Sequence, residues 1–306
     1  MNDTQAEEIK IIKGVHFGTA LVGYNDGNGP MKERSLLMDV YCPAGQSSSP
    51  RPALILAFGG AFHRGTREDD TVHENGHTNT PIAEYCRRFA GRGYVCASID
   101  YRLAQEDPHP GDTLVFGNED VPRSRIDHVR GILGLPPSTA EMIRNVQEAG
   151  VDDMAAAFRF MRVHADEYGV DPDRIVVGGF SAGGRIALNA ALAEDIEPAA
   201  VIGLSAYVPD IVLNGFAGSA CARFPIFLCR GENDLEYVCA RTPEICDHFE
   251  LLGIPFRAFI VPGGTHFYSA DATVHGGEGS GETLEHQLAA FLDRALDHDN
   301  LKRSET

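Results

Sequence analysis

Hydrophobic residues along the chain gather in short, nearly continuous runs that are rich in β-branched residues. Runs of this kind predict parallel strands that are buried on both faces of a sheet. They occur at Ala53–Phe58, Tyr94–Ile99, Ile175–Phe180, Ala199–Leu204, Phe224–Arg230 and Phe256–Val261.

The stretches between these runs carry apolar residues at helical spacing and polar residues on the opposite face. They predict helices at Pro81–Gly91, Ala140–Tyr168, Ala182–Ala193, Glu236–Leu252 and Thr283–Ala295. Strands that alternate with helices in this way predict an α/β fold built on a mostly parallel, doubly wound sheet.

Two further parts of the chain depart from this rhythm. Residues His16–Gly23 and Ser35–Tyr41 alternate between apolar and polar positions, which predicts an antiparallel N-terminal edge on the sheet. Residues 104–137 hold several prolines, glycines and charges without a regular period. Because an irregular segment of that length in a compact domain is usually functional, we expect residues 1–306 to form a single domain with 104–137 inserted as a cap or lid over the site.

The chain is acidic, with a formal net charge of −18 and a pI near 5.0. An acidic surface repels phosphate, which argues against nucleic acid as a partner. No apolar run reaches the roughly 18 residues of a membrane-spanning helix, and the first residues, MNDTQAEEIK, are unlike a signal peptide. We therefore expect no membrane association and a cytoplasmic location, with the oligomeric state open and a homodimer included.

The seven cysteines show no CxxC spacing, and their odd number leaves at least one thiol unpaired. In a cytoplasmic protein most of them are expected to be reduced. A bridge between Cys239 and Cys246 stays open at this point.

The most informative motif is GFSAG at residues 179–183, which fits the pattern GxSxG between a predicted strand and a predicted helix. A sharp turn from strand to helix holds the serine at strained backbone angles, and the flanking glycines give the turn its room. Phosphate-loop and dinucleotide patterns fail here, because Arg185 and Ser181 stand where those motifs need other residues. Ser181 is the candidate nucleophile, with a purely structural turn as the alternative.

A nucleophilic serine needs a general base and an acid that orients it, and in this type of fold both follow the serine, the acid first. Asp234 follows the strand FPIFLCR, and His266 follows the strand FRAFIVP. His266 is the candidate base and Asp234 the candidate acid. Glu232 is the rival acid, and a helix-capping role is the alternative for Asp234.

The glycine turn after the first buried run, FGGAFHRG at residues 58–65, is the candidate for binding the oxyanion. The backbone N–H groups of Gly60, Ala61 and Ala182 are expected to point at one oxygen. Their neighbours are the candidates for contact with substrate: Phe62, His63 and Phe180.

One stretch points to a different chemistry, because residues 73–77 read HENGH and satisfy HExxH. That zinc motif requires a helix that places both histidines, here His73 and His77, on one face. Asn and Gly inside the motif and Thr and Pro beside it favour turns instead. We expect a polar loop near the substrate entrance, and no metal or other cofactor.

These segments together, GGFSAGG, EYGVDPDRIVVGG, SIDYRLA, FGGAF, GEND and GGTH, resemble α/β-hydrolase carboxylesterases with an HGGG-type oxyanion loop. Hormone-sensitive-lipase-like and feruloyl-esterase-like esterases are of this kind. The resemblance implies a Ser-His-Asp triad that hydrolyses carboxylic esters without metal or cofactor. The chain departs from the pattern at Phe58, where the family usually has the histidine that helps order the loop, and at Ala61, where it usually has a third glycine.

We therefore expect an enzyme that hydrolyses small to medium esters, polar or aromatic ones included, through an acyl-enzyme on Ser181. A serine peptidase, a thioesterase or a lactonase would use the same residues. A ligand-binding protein on an inactive hydrolase scaffold, or a zinc hydrolase using His73 and His77, is the alternative of another class.

Overall fold

The structure is a computed structural model that describes residues 8–25, 29–45, 47–112, 114–116, 122–216, 224–276 and 281–297. Within these residues an eight-stranded sheet has the order β1-β2-β6-β3-β7-β8-β9-β10. Its strands are β1 (Ile9–Val22), β2 (Lys32–Pro43), β3 (Arg51–Ala57), β6 (Val95–Ile99), β7 (Val170–Phe180), β8 (Ala200–Leu204), β9 (Ile226–Gly231) and β10 (Phe256–Val261). A separate hairpin pairs β4 (His73–Glu74) with β5 (His77–Thr78).

The pairing pattern confirms the predicted sheet. Strand β2 runs antiparallel to β1 and β6, whereas the neighbours from β6 to β10 are all parallel. The inner parallel strands are almost wholly buried, as expected where helices cover both faces of a sheet, whereas the edge strand β10 is partly exposed and so less buried than predicted. The antiparallel edge is longer than predicted, since β1 begins at Ile9 and not at His16.

The five predicted helices are present in the described residues, together with two further helices and one break. Their bounds are α1 (Ile82–Ala90), α2 (Ser124–Ile132), α3 (Ala140–Val163), α4 (Ala165–Tyr168), α5 (Ala182–Ala193), α6 (Asp210–Phe216), α7 (Glu236–Leu252) and α8 (Leu284–Ala295). Helices α2 and α6 were not predicted, and a break at His164 separates α4 from α3. Helix α2 falls within residues 104–137, so this segment is partly helical.

The register of the sheet brings the candidate loops together. Ala57, at the end of β3, pairs with Gly179 of β7, and Phe180 pairs with Leu204 of β8. Because the strands are parallel, the loops that follow β3, β7, β8, β9 and β10 leave from the same edge of the sheet. This edge is where binding sites form in open α/β sheets.

Two other expectations concern the whole chain. No helix in the described ranges is long and apolar enough to cross a membrane. The six cysteines within those ranges, Cys239 and Cys246 among them, carry free thiols, while Cys221 lies outside. The cytoplasmic location stays a prediction.

Candidate active site

Ser181 stands at the junction between β7 and α5 with φ 53° and ψ −113°. The left-handed φ is costly for a residue with a side chain, and such strain clusters at functional sites. The glycines on either side allow this turn, because side chains at their positions would collide with the backbone. A Cβ on Gly179 would lie 2.4 Å from the carbonyl oxygen of Ala57, and a Cβ on Gly183 would lie 2.0 Å from the same oxygen.

The hydroxyl of Ser181 lies beside the candidate base. Its Oγ is 2.8 Å from Nε2 of His266, and Nδ1 of His266 is 2.6 Å from Oδ1 of Asp234. Because a carboxylate accepts hydrogen bonds, Nδ1 carries the proton and Nε2 is left to accept the serine proton. The structure thus brings the three predicted side chains into one chain of hydrogen bonds.

Asp234 is held as a carboxylate inside the protein. Burial raises its pKa, but the charge and hydrogen bond of His266 and the hydroxyl of Ser205 outweigh burial and hold the pKa of Asp234 below its ordinary value. The rival acid Glu232 points elsewhere, since its carboxylate accepts a hydrogen bond from the backbone N–H of Gly263. Asp234 is the acid that contacts His266.

Ser205 is a site residue that the sequence reasoning missed. It follows β8 with φ 49°, and its hydroxyl donates to Oδ2 of Asp234 at 2.6 Å. Its Oγ also lies 3.0 Å from the hydroxyl of Tyr268, which donates to the carbonyl of Cys229. The available signal was its position directly after a strand at the edge where the other loops meet.

The candidate oxyanion loop, residues 58–65 after β3, has three consecutive residues with positive φ, at 129° for Gly60, 55° for Ala61 and 60° for Phe62. A Cβ on Gly60 would lie 1.9 Å from the carbonyl oxygen of Arg64. The backbone N–H groups of His63 and Arg64 close the turn onto the carbonyl of Gly60. Only glycine fits at that position.

Two side chains hold this loop where the resembling family uses a histidine. Tyr101 stacks on Phe58 with ring centroids 4.4 Å apart, and its hydroxyl donates to the carbonyl of Phe58 at 3.0 Å. The buried carboxylate of Asp70 accepts from the backbone N–H of Gly59 at 3.0 Å and of Ile82 at 2.8 Å. The loop is therefore fastened to the segment after β6 and, through Asp70, to the first residue of α1, without the usual histidine.

His63 is buried and its ring forms hydrogen bonds that hold the same loop. Its expected role as a substrate contact is therefore corrected. Its ring is 3% exposed; Nδ1 donates to the carbonyl of Ala61 at 2.7 Å, and Nε2 accepts from Nη1 of Arg130 at 2.8 Å. Burial, and then the charge of Arg130, lowers the pKa of His63. The imidazole is therefore neutral, with one nitrogen donating a hydrogen bond and the other accepting one from Arg130 of α2.

Two cavities meet at Ser181. The histidine-side cavity is lined by Gly59, Gly60, Ala61, Arg64, Asp70, Val72, Arg125, Val129, Phe180, Ser181, His266 and Phe267. The tyrosine-side cavity is lined by Ala61, Phe62, Pro122, Arg125, Ile126, Ser181, Ala182, Arg185, Ser205, Ala206, Tyr207 and Tyr237. Phe62 and Phe180 thus reach the cavities, and α2 forms part of both walls.

The HENGH stretch forms the hairpin of β4 and β5 and not a helix. Nδ1 of His73 lies 2.7 Å from the hydroxyl of Thr78, and Glu74 receives two hydrogen bonds from Arg125, at 2.7 and 2.9 Å. The geometry that the zinc motif requires is therefore not formed. Within the described ranges, no three His, Cys, Asp or Glu side chains are grouped to hold a metal ion.

Asp70 gives the loop a measurable pH signature. Burial raises its pKa from 3.8 to about 6. The folded protein therefore binds this proton about 3 kcal/mol more tightly than the unfolded chain does. Because the folded protein binds this proton more tightly than the unfolded chain, the free energy of unfolding falls as pH rises from about 4 to about 6. Asparagine has no carboxyl group to titrate, so Asp70→Asn removes this pH dependence. Between pH 4.5 and 7.5 the free energy of unfolding of the variant, measured by urea denaturation, should therefore rise by about 2 kcal/mol relative to that of the wild type.

Asp69→Asn is the matched control for this measurement. Hydrogen bonds from Thr71 lower the pKa of Asp69, so its contribution to stability is present at neutral pH and is lost as pH falls. The control should therefore show no relative gain at pH 7.5. The same pH dependence in both variants would contradict the assignment to Asp70.

Comparisons with known proteins show which proteins this chain resembles. The family model described as BD-FAE matches residues 38–114 and 143–203, which include the oxyanion loop and Ser181 but not Asp234 or His266. Carboxylesterase NlhH of Mycobacterium tuberculosis is 30% identical over 176 residues, 56% of this chain and 40% of that protein. Acyl-protein thioesterase 1 of Gibberella zeae is 28% identical over 202 residues, 62% of this chain and 84% of that protein.

Among solved structures, esterase 2 of Thermogutta terrifontis phosphorylated by paraoxon superposes with a TM-score of 0.54. It is 20% identical, and the match covers 95% of each chain. The match to NlhH spans well under two thirds of that protein, and the structural likeness at this identity concerns the fold. The chain therefore has the α/β-hydrolase fold, and its predicted similarity to carboxylesterases is confirmed.

Proposed function

We propose that the protein is a serine carboxylesterase that forms an acyl-enzyme on Ser181. The observation that carries this proposal is the hydrogen-bonded chain from Ser181 through His266 to Asp234, set at a strained strand-to-helix turn. A structural serine has no need of a buried imidazole whose acceptor nitrogen faces its hydroxyl. The similarity to carboxylesterases supports the same reaction.

In the first step, Nε2 of His266 takes the proton of Ser181 while Oγ attacks the ester carbonyl. Asp234 holds the imidazole in the required tautomer and stabilises its charged form. The developing oxyanion is bound by backbone N–H groups of Gly60, Ala61 and Ala182, and the fixed turn of the loop keeps those donors in place before the reaction begins.

In the second step, His266 returns the proton to the leaving alcohol, and the acyl group stays on Ser181. A water molecule then repeats the attack, with His266 as its base, and releases the carboxylic acid. The leaving oxygen must lie beside Nε2 of His266. The alcohol part of the ester therefore occupies the histidine-side cavity, and the acyl chain extends into the tyrosine-side cavity.

We further propose that residues 104–137 act as the cap over the site. Helix α2 supplies Arg125 to both cavities and links Arg130 to His63 beneath the oxyanion loop. The buried Glu148 of α3 accepts the backbone N–H groups of Val115 and Phe116 and so ties the cap to the core. The BD-FAE model matches residues 104–114 of the proposed cap but not residues 115–142, so most of the cap lies outside the family match.

The second candidate is thioester hydrolysis, favoured by the similarity to acyl-protein thioesterase 1. The same nucleophile, base and oxyanion donors serve both bonds. A thiolate is a better leaving group than an alkoxide. Thioester hydrolysis therefore depends less on the return of a proton from His266. The two activities are therefore distinguished by direct comparison of an oxygen ester and a thioester with the same acyl chain.

Replacing the nucleophile tests the reaction. Wild-type protein should hydrolyse p-nitrophenyl esters of short fatty acids, and Ser181→Ala should lower kcat/KM by roughly 10⁴-fold or more, since removal of a triad nucleophile has effects of that order. The exposed Ser48 gives a control substitution, Ser48→Ala, that should leave the rate unchanged. Full ester turnover by Ser181→Ala would contradict the proposal.

Ser205 should matter through Asp234. Ser205→Ala removes a hydrogen bond to a buried carboxylate, so kcat/KM should fall roughly tenfold to hundredfold, the equivalent of about 1.5–3 kcal/mol. Ser98 is equally buried but donates to the carbonyl of Arg67 away from the site. Ser98→Ala should therefore alter stability and leave kcat/KM near the wild-type value; equal loss in both variants would contradict the role of Ser205.

A further inference from the structure

His63 holds both peptide groups that flank the α-carbon of Ala61. Its backbone N–H donates to the carbonyl of Gly60 at 3.1 Å, and its ring Nδ1 donates to the carbonyl of Ala61 at 2.7 Å. Because a trans peptide group is planar, the carbonyl of Gly60 and the N–H of Ala61 point in opposite directions. Holding that carbonyl therefore fixes the direction of one proposed oxyanion donor.

The backbone conformation of Ala61 makes this support necessary. Its φ of 55° lies in the left-handed region, which costs free energy for alanine but not for glycine. The next residue, Phe62, has a similar φ of 60°. Strained conformations of this kind persist only where the surrounding contacts hold them. The direction of the Ala61 N–H therefore depends on the hydrogen bonds made by His63.

The ring of His63 is in turn fixed by Arg130 of α2. A carbonyl oxygen only accepts, so Nδ1 of His63 carries the ring proton and Nε2 is the acceptor. Nη1 of Arg130 lies 2.8 Å from that Nε2, and a guanidinium only donates. The two partners of the ring thus select the same tautomer and hold the ring in one orientation.

Packing alone does not account for Arg130. Its side chain is buried, and within the described residues its hydrogen bonds all go to neutral acceptors, namely the ring of His63, the carbonyl of Pro136 at 2.5 Å and Sδ of Met142 at 3.3 Å. The carboxylate of Asp127, three residues earlier, is bonded instead to the backbone N–H and hydroxyl of Ser138. An apolar side chain would fill this place at lower cost, because a buried cation without a carboxylate is unfavourable.

The beginning of the proposed cap, residues 104–137, contacts the same loop. The backbone N–H of Ala104 donates to the carbonyl of Phe62 at 2.9 Å, and Nε2 of Gln105 donates to the carbonyl of His63 at 2.7 Å. Of the links between the cap and the loop, the one through Arg130 acts on the ring that holds Ala61. The position of α2 and the geometry of the loop are therefore coupled.

We propose that Arg130 is a positioning residue for the reaction, which holds the N–H of Ala61 in place through His63. The oxyanion site is then complete only when α2 lies against the loop. This inference rests on the proposed esterase function. It gives the cap a part in stabilising the transition state, in addition to its place over the site.

Replacing Arg130 tests this role in the kinetics. Methionine has a similar length but no donor, so Arg130→Met should lower kcat for p-nitrophenyl butyrate about tenfold or more and change KM by less than about twofold, since an oxyanion donor acts in the transition state. Arg123 also donates to a carbonyl, that of Ser138, without contacting His63. Arg123→Met should therefore leave kcat unchanged. Equal loss of kcat in both variants, or a folded Arg130→Met with wild-type kcat, would overturn the inference.

A double variant shows whether Arg130 acts through His63. His63→Leu combined with Arg130→Met removes both partners and leaves neither of them unpaired, so it should fold even if Arg130→Met does not. Its kcat should be about tenfold or more below that of the wild type and within about twofold of that of His63→Leu. A wild-type kcat in the double variant, or a further tenfold loss relative to His63→Leu, would overturn the inference.

Amide hydrogen exchange separates this inference from the proposed reaction, because it needs no turnover. Exchange in residues 58–65, followed by mass spectrometry, should become about tenfold faster in Arg130→Met and should stay at the wild-type rate in Arg123→Met. This result supports the coupling of α2 to the loop even if the wild type hydrolyses no ester and the proposed function fails. Unchanged exchange in a folded Arg130→Met, or in the double variant, would overturn the inference whatever the rates of hydrolysis are.

Discussion

The structure of the site depends on one close approach, between the end of β3 and the glycines around Ser181. The carbonyl oxygen of Ala57 occupies the space that side chains at Gly179 and Gly183 would need. This contact fixes the strained turn of Ser181, and it also fixes the point at which the chain leaves β3 for the oxyanion loop. The proposed nucleophile and the proposed oxyanion donors therefore share a single backbone constraint.

The remaining site residues form a buried polar chain that depends on complete pairing. Asp234 accepts from His266, from Ser205 and from the backbone N–H groups of Gly231 and Leu235. A buried carboxylate with several donors stays ionised, whereas the loss of one donor leaves an unpaired group at high cost. These hydrogen bonds keep His266 in one tautomer, on which the proposed proton transfer from Ser181 depends.

The strands, the helix order and the positions of Ser181, Asp234 and His266 could be predicted because each rests on a local pattern or on order along the chain. Contacts between residues that are far apart in the sequence could not be predicted. Tyr101 and Asp70 hold the glycine turn, which has phenylalanine at position 58, through tertiary contacts that no local motif reports. For the same reason His63 was expected to face the substrate, although both of its ring nitrogens are taken up by the protein.

Helix α2 was missed for a different reason, because prolines and glycines around it hide its period and its side chains face a cavity as well as the core. It is nevertheless the element that connects the site to the surrounding chain. Arg125 joins it to the HENGH hairpin through Glu74, and Arg130 joins it to the oxyanion loop through His63. The HENGH stretch, expected as a polar loop, is a hairpin, and its place at the substrate entrance stays a prediction.

Covalent labelling of Ser181 tests the central claim most directly. The protein is treated with a serine-directed fluorophosphonate, its intact mass is measured, and the modified peptide is mapped. A Ser181 that is activated by His266 and faced by oxyanion donors should give a single adduct on that residue, and Ser181→Ala should give none. A folded wild-type protein that gains no adduct, or gains one on another serine, would contradict the account.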